Sequence, residues 1–184
     1  MRFINTNFHY LEFEIKPMKI KILAFVLILT NFTFAQTDSI CNCCSESYNQ
    51  FDFLAGDWNV YDSSEVWMGS NHIVKMQDNC ILQENWSSNT MSGTSYNYFD
   101  ASDSLWHQLW LDNQGGNLKL SGQFVGGKMI MRSANIPGEN GLFYNEITWS
   151  VINKNTILQE WNVKNEQDQV LTQLFMGFYK RRKP

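Results

Sequence analysis

The sequence predicts an all-β protein, and three observations support this. From Asp57 onward, short runs rich in Trp, Tyr, Phe, Ile and Val are separated by Gly, Asn, Asp and Ser, with no useful helical period. The runs recur every ~12 residues. Turn-forming pairs such as Gly126-Gly127 and Pro137-Gly138 join them. Regular short strands of this kind are typical of all-β sandwiches and barrels, and we predict a single antiparallel up-and-down barrel of about ten strands.

The predicted strands are 57–66, 71–77, 80–88, 93–100, 104–112, 117–125, 128–134, 142–152, 156–165 and 171–181. Alternation is clearest in the sixth of them. Leu118, Leu120 and Phe124 share one face there, and Lys119 and Gln123 share the other. Because side chains alternate along a strand, one face is expected to be buried and the other to meet water.

The segment before the barrel has the parts of a secretory signal peptide. Lys19 and Lys21 precede the apolar run 22–30, and Ala35 offers a small residue for cleavage. The run is shorter than the ~20 residues of a membrane span, although a retained N-terminal anchor is the alternative. We therefore expect an exported protein, periplasmic or extracellular, without a transmembrane span when mature. The predicted divisions are an over-extended start or leader at 1–17, the signal peptide at 18–35, a cysteine-containing segment at 36–50 and the barrel at 51–184.

The charge balance argues against nucleic acid as a partner. Residues 36–184 carry 10 basic and 16 acidic side chains, a net charge of −6. The basic cluster 180–183 stands at the C-terminus, where we interpret it as a solvated tail. No basic stripe is available to follow a phosphate backbone. No motif identifies a protein partner either.

The four cysteines are Cys41, Cys43, Cys44 and Cys80. An even number in an exported protein favours disulfides, and four cysteines permit three pairings. We expect Cys80 to pair with Cys43 or Cys44, and choose Cys44–Cys80. Such a loop of about 35 residues contributes roughly 3–4 kcal/mol in the chain-entropy model. A zinc site needs a second separated Cys/His pair, so we predict no metal.

Three times in the chain, a polar side chain stands two residues before a tryptophan. These pairs are Glu84-x-Trp86, Gln108-x-Trp110 and Gln159-x-Trp161. Residues i and i+2 of a strand point to the same face. The neighbouring side chains on the first and third of these strands are polar, so the tryptophan faces are expected to point inward. These neighbours are Gln83, Asn85, Glu160 and Asn162.

A buried carboxylate or amide needs hydrogen-bond partners or a wet cavity. Barrels of about ten strands are usually too wide to be filled by side chains alone. We therefore predict that the lumen binds a small amphipathic or hydrophobic molecule. The predicted ligand-binding residues are Glu84, Trp86, Trp106, Gln108, Trp110, Trp149, Gln159 and Trp161.

An ordered set of motifs accompanies the three pairs. They are Phe51-Asp52-Phe53-Leu54-Ala55-Gly56-Asp57-Trp58, Cys80 with Gln83-Glu84-x-Trp86, Ser95-x-Asn97-x-Phe99-Asp100, Trp106-x-Gln108-x-Trp110-x-Asp112, Gln159-x-Trp161 and Gly177-x-Tyr179-x-Arg181. The set resembles a lipocalin-like, calycin-related family of secreted bacterial proteins of unknown function that open with Phe-Asp-Phe-x-x-Gly-x-Trp. The resemblance implies that Trp58 plugs the closed end of the barrel and packs on Arg181. The alternative is that Arg181 belongs to the solvated tail.

The related nitrobindin barrel binds haem through a histidine late in the chain. Here the last histidine is His107, and His72 is the one other histidine after residue 35. The chain thus departs from that pattern, and we predict no cofactor.

Two other functions remain open. An enzyme of the isomerase or lyase type would use Glu84 as its acid or base, with a pKa raised by an apolar lumen. No motif for an activated serine, a metalloprotease or a phosphate loop is present, so we assign no catalytic residues. A structural or interaction protein would instead have a filled lumen. Whether the lumen is filled or partly empty distinguishes the structural protein from the binding protein and the enzyme.

Overall fold

The alternating runs form strands that close into a barrel, as the sequence predicts. The computed structural model describes residues 41–139 and 141–183. The predicted leader and signal peptide, and the beginning of the cysteine segment, lie outside the described residues. The strands are β1 (Gly56–Tyr61), β2 (Trp67–Met76), β3 (Ile81–Ser87), β4 (Ser92–Asp100), β5 (Leu105–Asp112), β6 (Asn117–Val125), β7 (Lys128–Arg132), β8 (Ile136–Gly138), β9 (Gly141–Asn153), β10 (Thr156–Asn165) and β11 (Val170–Arg181).

Ten of these strands form a closed antiparallel meander. Each pairs with the next along the chain, except that β7 pairs directly with β9. The barrel closes where β11 pairs with β1, with Trp58 opposite Arg181. The short strand β8 pairs with the start of β9 and stands outside the meander. The predicted all-β barrel of about ten strands is thus confirmed.

The segment before β1 blocks one end of the barrel. It contains a short helix, α1 (Glu46–Asn49), and a single 3-10 turn, Asp52–Leu54. Phe51 and Leu54 have no exposed surface. The Phe51 ring packs edge-on against Trp106 and Trp149, with centroid distances of 5.5 and 5.2 Å. We call this side the closed end. Within the described residues, no helix is long and apolar enough to cross a lipid bilayer.

Two disulfides hold this segment, and their pairing corrects the expected one. Cys43 pairs with Cys80 in the β2–β3 turn, and Cys41 pairs with Cys44. The expected Cys44–Cys80 bridge is therefore wrong by one residue. The Cys43 side chain is buried, whereas its neighbour Cys44 is exposed and its sulfur lies 3.9 Å from Asn79 Nδ2.

Trp58 and Arg181 meet at the closed end. The Arg181 guanidinium carbon lies 4.1 Å from the centroid of the Trp58 ring, which is the contact that the resemblance implies. The Trp58 Nε1 donates a hydrogen bond of 2.8 Å to the Leu54 carbonyl oxygen, and Arg181 Nη1 donates to that of Ala55 at 3.1 Å. A cation over an indole contributes roughly 0.5–2 kcal/mol. The contact joins the first strand of the barrel to the last.

Candidate binding site in the barrel

A cavity of about 90 Å³ lies inside the barrel and opens away from the closed end. Its mouth is at the end that carries the β3–β4 and β5–β6 turns. The lining residues are Glu84, Trp86, Met91, Gln108, Trp110, Leu118, Ile147, Gln159, Trp161, Phe175 and Tyr179. All three polar-x-Trp pairs belong to this lining. The lumen is therefore partly empty, and the three pairs converge in it.

The common direction of three strands explains this convergence. β3, β5 and β10 are the third, fifth and ninth strands of the meander, so they all run from the closed end to the mouth. In each strand the polar residue precedes its tryptophan. Every tryptophan of a pair therefore lies nearer the mouth, and every polar partner lies deeper. The order of the two residues in the sequence therefore indicates which of them lies nearer the mouth.

The same layering extends to a fourth strand and defines two zones. On β2, Gly69, Asn71 and Ile73 follow one another from the mouth inward. We call the deeper zone the polar layer. It consists of Asn71, Glu84, Ser95, Asn97, Gln108, Gln159 and Tyr179, all of them buried. We call the outer zone the rim. It consists of Trp86, Met91, Trp110, Leu118, Trp161 and Phe175.

Glu84 lies at the centre of the polar layer, with 5% of its surface exposed. Its Oε2 accepts a hydrogen bond of 2.7 Å from Ser95 Oγ, and its Oε1 accepts one from Asn71 Nδ2. Ser95 stands opposite Glu84 in the β3–β4 register. Burial raises the pKa of Glu84, against the opposing effect of these two hydrogen bonds. The carboxyl group is thus held in place and is reluctant to ionise.

Hydrogen bonds extend from Glu84 to Gln108 along β4. Asn97 Nδ2 donates to Ser95 Oγ at 2.9 Å, and Gln108 Nε2 donates to Asn97 Oδ1 at 2.8 Å. Because Ser95 Oγ accepts from Asn97, its own hydrogen is directed to Glu84. The chain of donors therefore ends on the carboxyl group. Among the described residues, no donor reaches Gln108 Oε1, which belongs to a side chain that lines the cavity.

Gln159 and Tyr179 form the opposite side of the polar layer. The Tyr179 hydroxyl donates a hydrogen bond to Gln159 Oε1. Burial, with a further contribution from the charge of Glu84, raises the pKa of Tyr179 well above its ordinary value. Tyr179 is therefore a neutral donor at physiological pH. Gln159 Nε2 has no acceptor within the described part of the chain.

Glycines on neighbouring strands allow two rim indoles to lie flat against the barrel wall. A Cβ at Gly69 would come within 2.6 Å of Trp86 Cζ2, and a Cβ at Gly93 would overlap the Trp110 ring. Trp86 also packs edge-on against Phe175, with a centroid distance of 6.0 Å. The glycines thus leave room for the indoles. Aromatic side chains commonly pack over a glycine on the neighbouring strand in this way.

The third rim indole is held by a hydrogen bond. Trp161 Nε1 donates to Asn145 Oδ1 on β9 at 2.8 Å. Trp86 differs, because its Nε1 is buried and has no partner among the described residues. An unpaired buried donor costs about 1–3 kcal/mol. Trp86 Nε1 is therefore a position where an incoming acceptor would gain a partner.

Two of the eight predicted ligand-binding residues do not line the cavity. Trp106 and Trp149 lie at the closed end and pack on Phe51. Their strands place them beyond the polar layer, on the side away from the mouth. The expectation that they share the binding site is corrected accordingly, since they form the core of the closed end.

The sequence interpretation also missed most of the polar layer. Ser95 and Asn97 alternate with Tyr96 and Tyr98, and local alternation favours the aromatic residues as the buried ones. The structure has the opposite arrangement. Ser95 and Asn97 are fully buried, whereas Tyr96 and Tyr98 are 38% and 42% exposed. The strand register indicates the inward face instead, because Ser95 lies opposite Glu84 and Asn97 lies opposite Gln108.

Comparisons with known proteins add no family to this description. A scan against protein-family models found no match, and a search of curated proteins found none either. The lipocalin-like resemblance remains an expectation from the motifs.

Proposed function

We propose that this protein binds a small amphipathic molecule, which enters through the mouth with its polar group foremost. One observation carries the proposal: all six members of the polar-x-Trp pairs line one partly empty cavity. The polar group would meet Glu84, Gln108 and Gln159. The apolar body would lie among the rim indoles. Mouths of β-barrels are common places for such sites.

The size of the cavity limits the ligand. A volume of about 90 Å³ compares with about 30 Å³ for a water molecule in the liquid, and with about 300–1,000 Å³ for a typical drug-sized site. The enclosed part suits a polar group and a few carbon atoms. Any larger part of the ligand would project through the mouth.

Export is part of the proposal and is supported by the cysteines. Both pairs, Cys41–Cys44 and Cys43–Cys80, are disulfides. Disulfides persist mainly in oxidising compartments such as the periplasm or the extracellular space. Cell fractionation of the full-length chain tests this part of the proposal. Recovery of the protein in the cytosol with reduced cysteines would contradict it.

Binding can be tested by closing the cavity from inside. Leu118 lines the rim on β6, whereas Leu111 on the neighbouring strand β5 is 45% exposed and points outward. Leu118→Trp would fill the cavity, and Leu111→Trp is the matched control. Thermal shift and calorimetry with lipids, aromatic metabolites, sugars and amines would be run on the wild type and both variants.

We expect a binding compound to lose at least tenfold in affinity with Leu118→Trp and to bind Leu111→Trp like the wild type. Equal affinity for the wild type and Leu118→Trp would overturn the site. The absence of binding by every class would overturn the function.

A further inference from the structure

The ionisable side chains that the described part of the chain contributes to the cavity lining include no cation. Within the described residues, Glu84 and Tyr179 are the ionisable side chains of the lining, and no lysine, arginine or histidine belongs to it. Buried carboxylates are normally paired with a cation or coordinate a metal, because an isolated buried charge is costly. Glu84 receives two hydrogen bonds but no cationic partner. The site therefore lacks a positive charge.

Hydrogen-bonding capacity beside Glu84 points the same way, because the side chains there have acceptors to spare, whereas the unpaired donors of the described site belong to Gln159 and Trp86. Each Glu84 oxygen accepts one bond, and an ionised carboxylate offers about four acceptor positions. Gln108 Oε1 lacks a donor. Asn71 Oδ1, beside Glu84, is buried and has no partner among the described residues. A group with several N–H donors and no acceptor matches this surplus.

The rim supplies a third, independent feature. Trp86, Trp110, Trp161 and Phe175 line the mouth above the carboxyl group. Aromatic faces attract cations, and tryptophan does so most strongly. An anion passing this rim would gain no such attraction and would meet no cationic side chain in the described lining.

We infer that the ligand is a small organic cation, an ammonium group on a short apolar body, with the ammonium group on Glu84 and the body between the rim indoles. This inference rests on the proposed function and names its ligand class. An ammonium group has three donors and no acceptor. In this arrangement it would donate to the Glu84 carboxylate and to Gln108 Oε1, which both belong to side chains that line the cavity.

Three probes with the same branched body separate charge from shape. They are isoamylamine, isoamyl alcohol and isovalerate, measured by calorimetry at neutral pH. We expect the ammonium compound to bind at least tenfold more tightly than the alcohol, and isovalerate to bind least. Equal or tighter binding of the alcohol or isovalerate would overturn the cation class and leave the proposed function standing. If none of the three binds, the wider panel decides. A neutral or anionic ligand found there overturns the cation class alone, and no ligand of any class overturns both.

A charge-neutral variant locates the recognition. Glu84→Gln keeps the shape of the side chain and removes its charge. We expect the ammonium and alcohol affinities of this variant to agree within about threefold. Glu160→Gln is the matched control, because Glu160 is on β10 but alternates with the inward Gln159 and Trp161, so it points outward. It should keep the full preference. Loss of preference in both variants, or in neither, would contradict the assignment to Glu84.

The wild type supplies a second readout that needs no variant. A cation binds the ionised form of Glu84, so ammonium affinity should rise as pH increases through the raised pKa of that group. Tyr179, the other ionisable group of the lining, stays neutral over this range because its pKa is also raised. Below the pKa of Glu84, binding should release a proton, measured as a dependence of the heat on the buffer. A pH-independent affinity for isoamylamine would overturn the role of the carboxyl group.

Discussion

The two ends of the barrel use the same residue type in opposite ways. At the closed end, Trp58, Trp106 and Trp149 are at most 4% exposed and pack on the N-terminal segment. At the mouth, Trp110 and Trp161 are only partly buried and line a cavity. The polar layer separates the two sets of indoles.

This difference shows how one barrel serves stability and recognition separately. An N-terminal plug and a disulfide fill one end, so its indoles contribute mainly to the core. Across the polar layer no segment of the described chain fills the mouth. The indoles there keep exposed faces, and the buried carboxyl group beneath them lacks a counter-charge. Substitutions at the two ends should therefore have different consequences.

The largest expected contrast is between Trp58→Ala and Trp110→Ala. Trp58 is fully buried and donates a hydrogen bond to Leu54, so its loss should lower the free energy of unfolding by about 3–5 kcal/mol. Trp110 is half-buried at an open mouth, where water can occupy the vacated space, and about 1–2 kcal/mol is expected. Urea denaturation measures both values. Similar losses would show that the two ends are not distinct.

The two disulfides provide the second contrast. Cys43–Cys80 spans 37 residues and Cys41–Cys44 spans three. In the chain-entropy model, replacing the first pair by serines should cost about 3–4 kcal/mol, and replacing the second about 1–2 kcal/mol. Denaturation of the two double variants under non-reducing conditions measures the difference. The reverse order would show that the Cys43–Cys80 bridge does not secure the plug.

The contact between Arg181 and Trp58 should have a smaller effect. Arg181→Gln removes the cation above the indole and a hydrogen bond to Ala55, and should lower the free energy of unfolding by roughly 0.5–2 kcal/mol. The neighbouring Arg182 is exposed, so Arg182→Gln is the control. Its stability should change by less than about 0.5 kcal/mol. Equal effects of the two substitutions would place Arg181 in the solvated tail.

Glu84→Gln should have its smallest effect at acidic pH. Burial raises the pKa of Glu84 in the folded protein. Above about pH 4.3, the unfolded chain loses this proton while the folded chain keeps it, so wild-type stability should fall as pH rises towards the folded pKa. The variant has an amide at this position, which does not titrate. The stability of the variant relative to the wild type should therefore rise with pH and level off above the folded pKa of Glu84. A constant difference would contradict the raised pKa.

Much of the site could be predicted from particular residues. The inward direction of Glu84 and Trp86 follows from the polar Gln83 and Asn85 beside them, because side chains alternate strictly along a strand. The cysteine pairing and the roles of Trp106 and Trp149 could not be predicted this way. They depend on which end of the barrel the N-terminal segment fills, and that is decided by packing between segments far apart in the sequence.

The sequence by itself determined the strands and, for two of the three pairs, the direction of their side chains. Alternation and turn residues are local, so each strand shows them without reference to its partner. Only the tertiary structure decided the hydrogen-bond partners within the polar layer. Closure and register brought Ser95 and Asn71 to Glu84 and directed Tyr96 outward. Hydrogen-bond partners of a buried carboxyl group come from neighbouring strands, so no single strand could specify them.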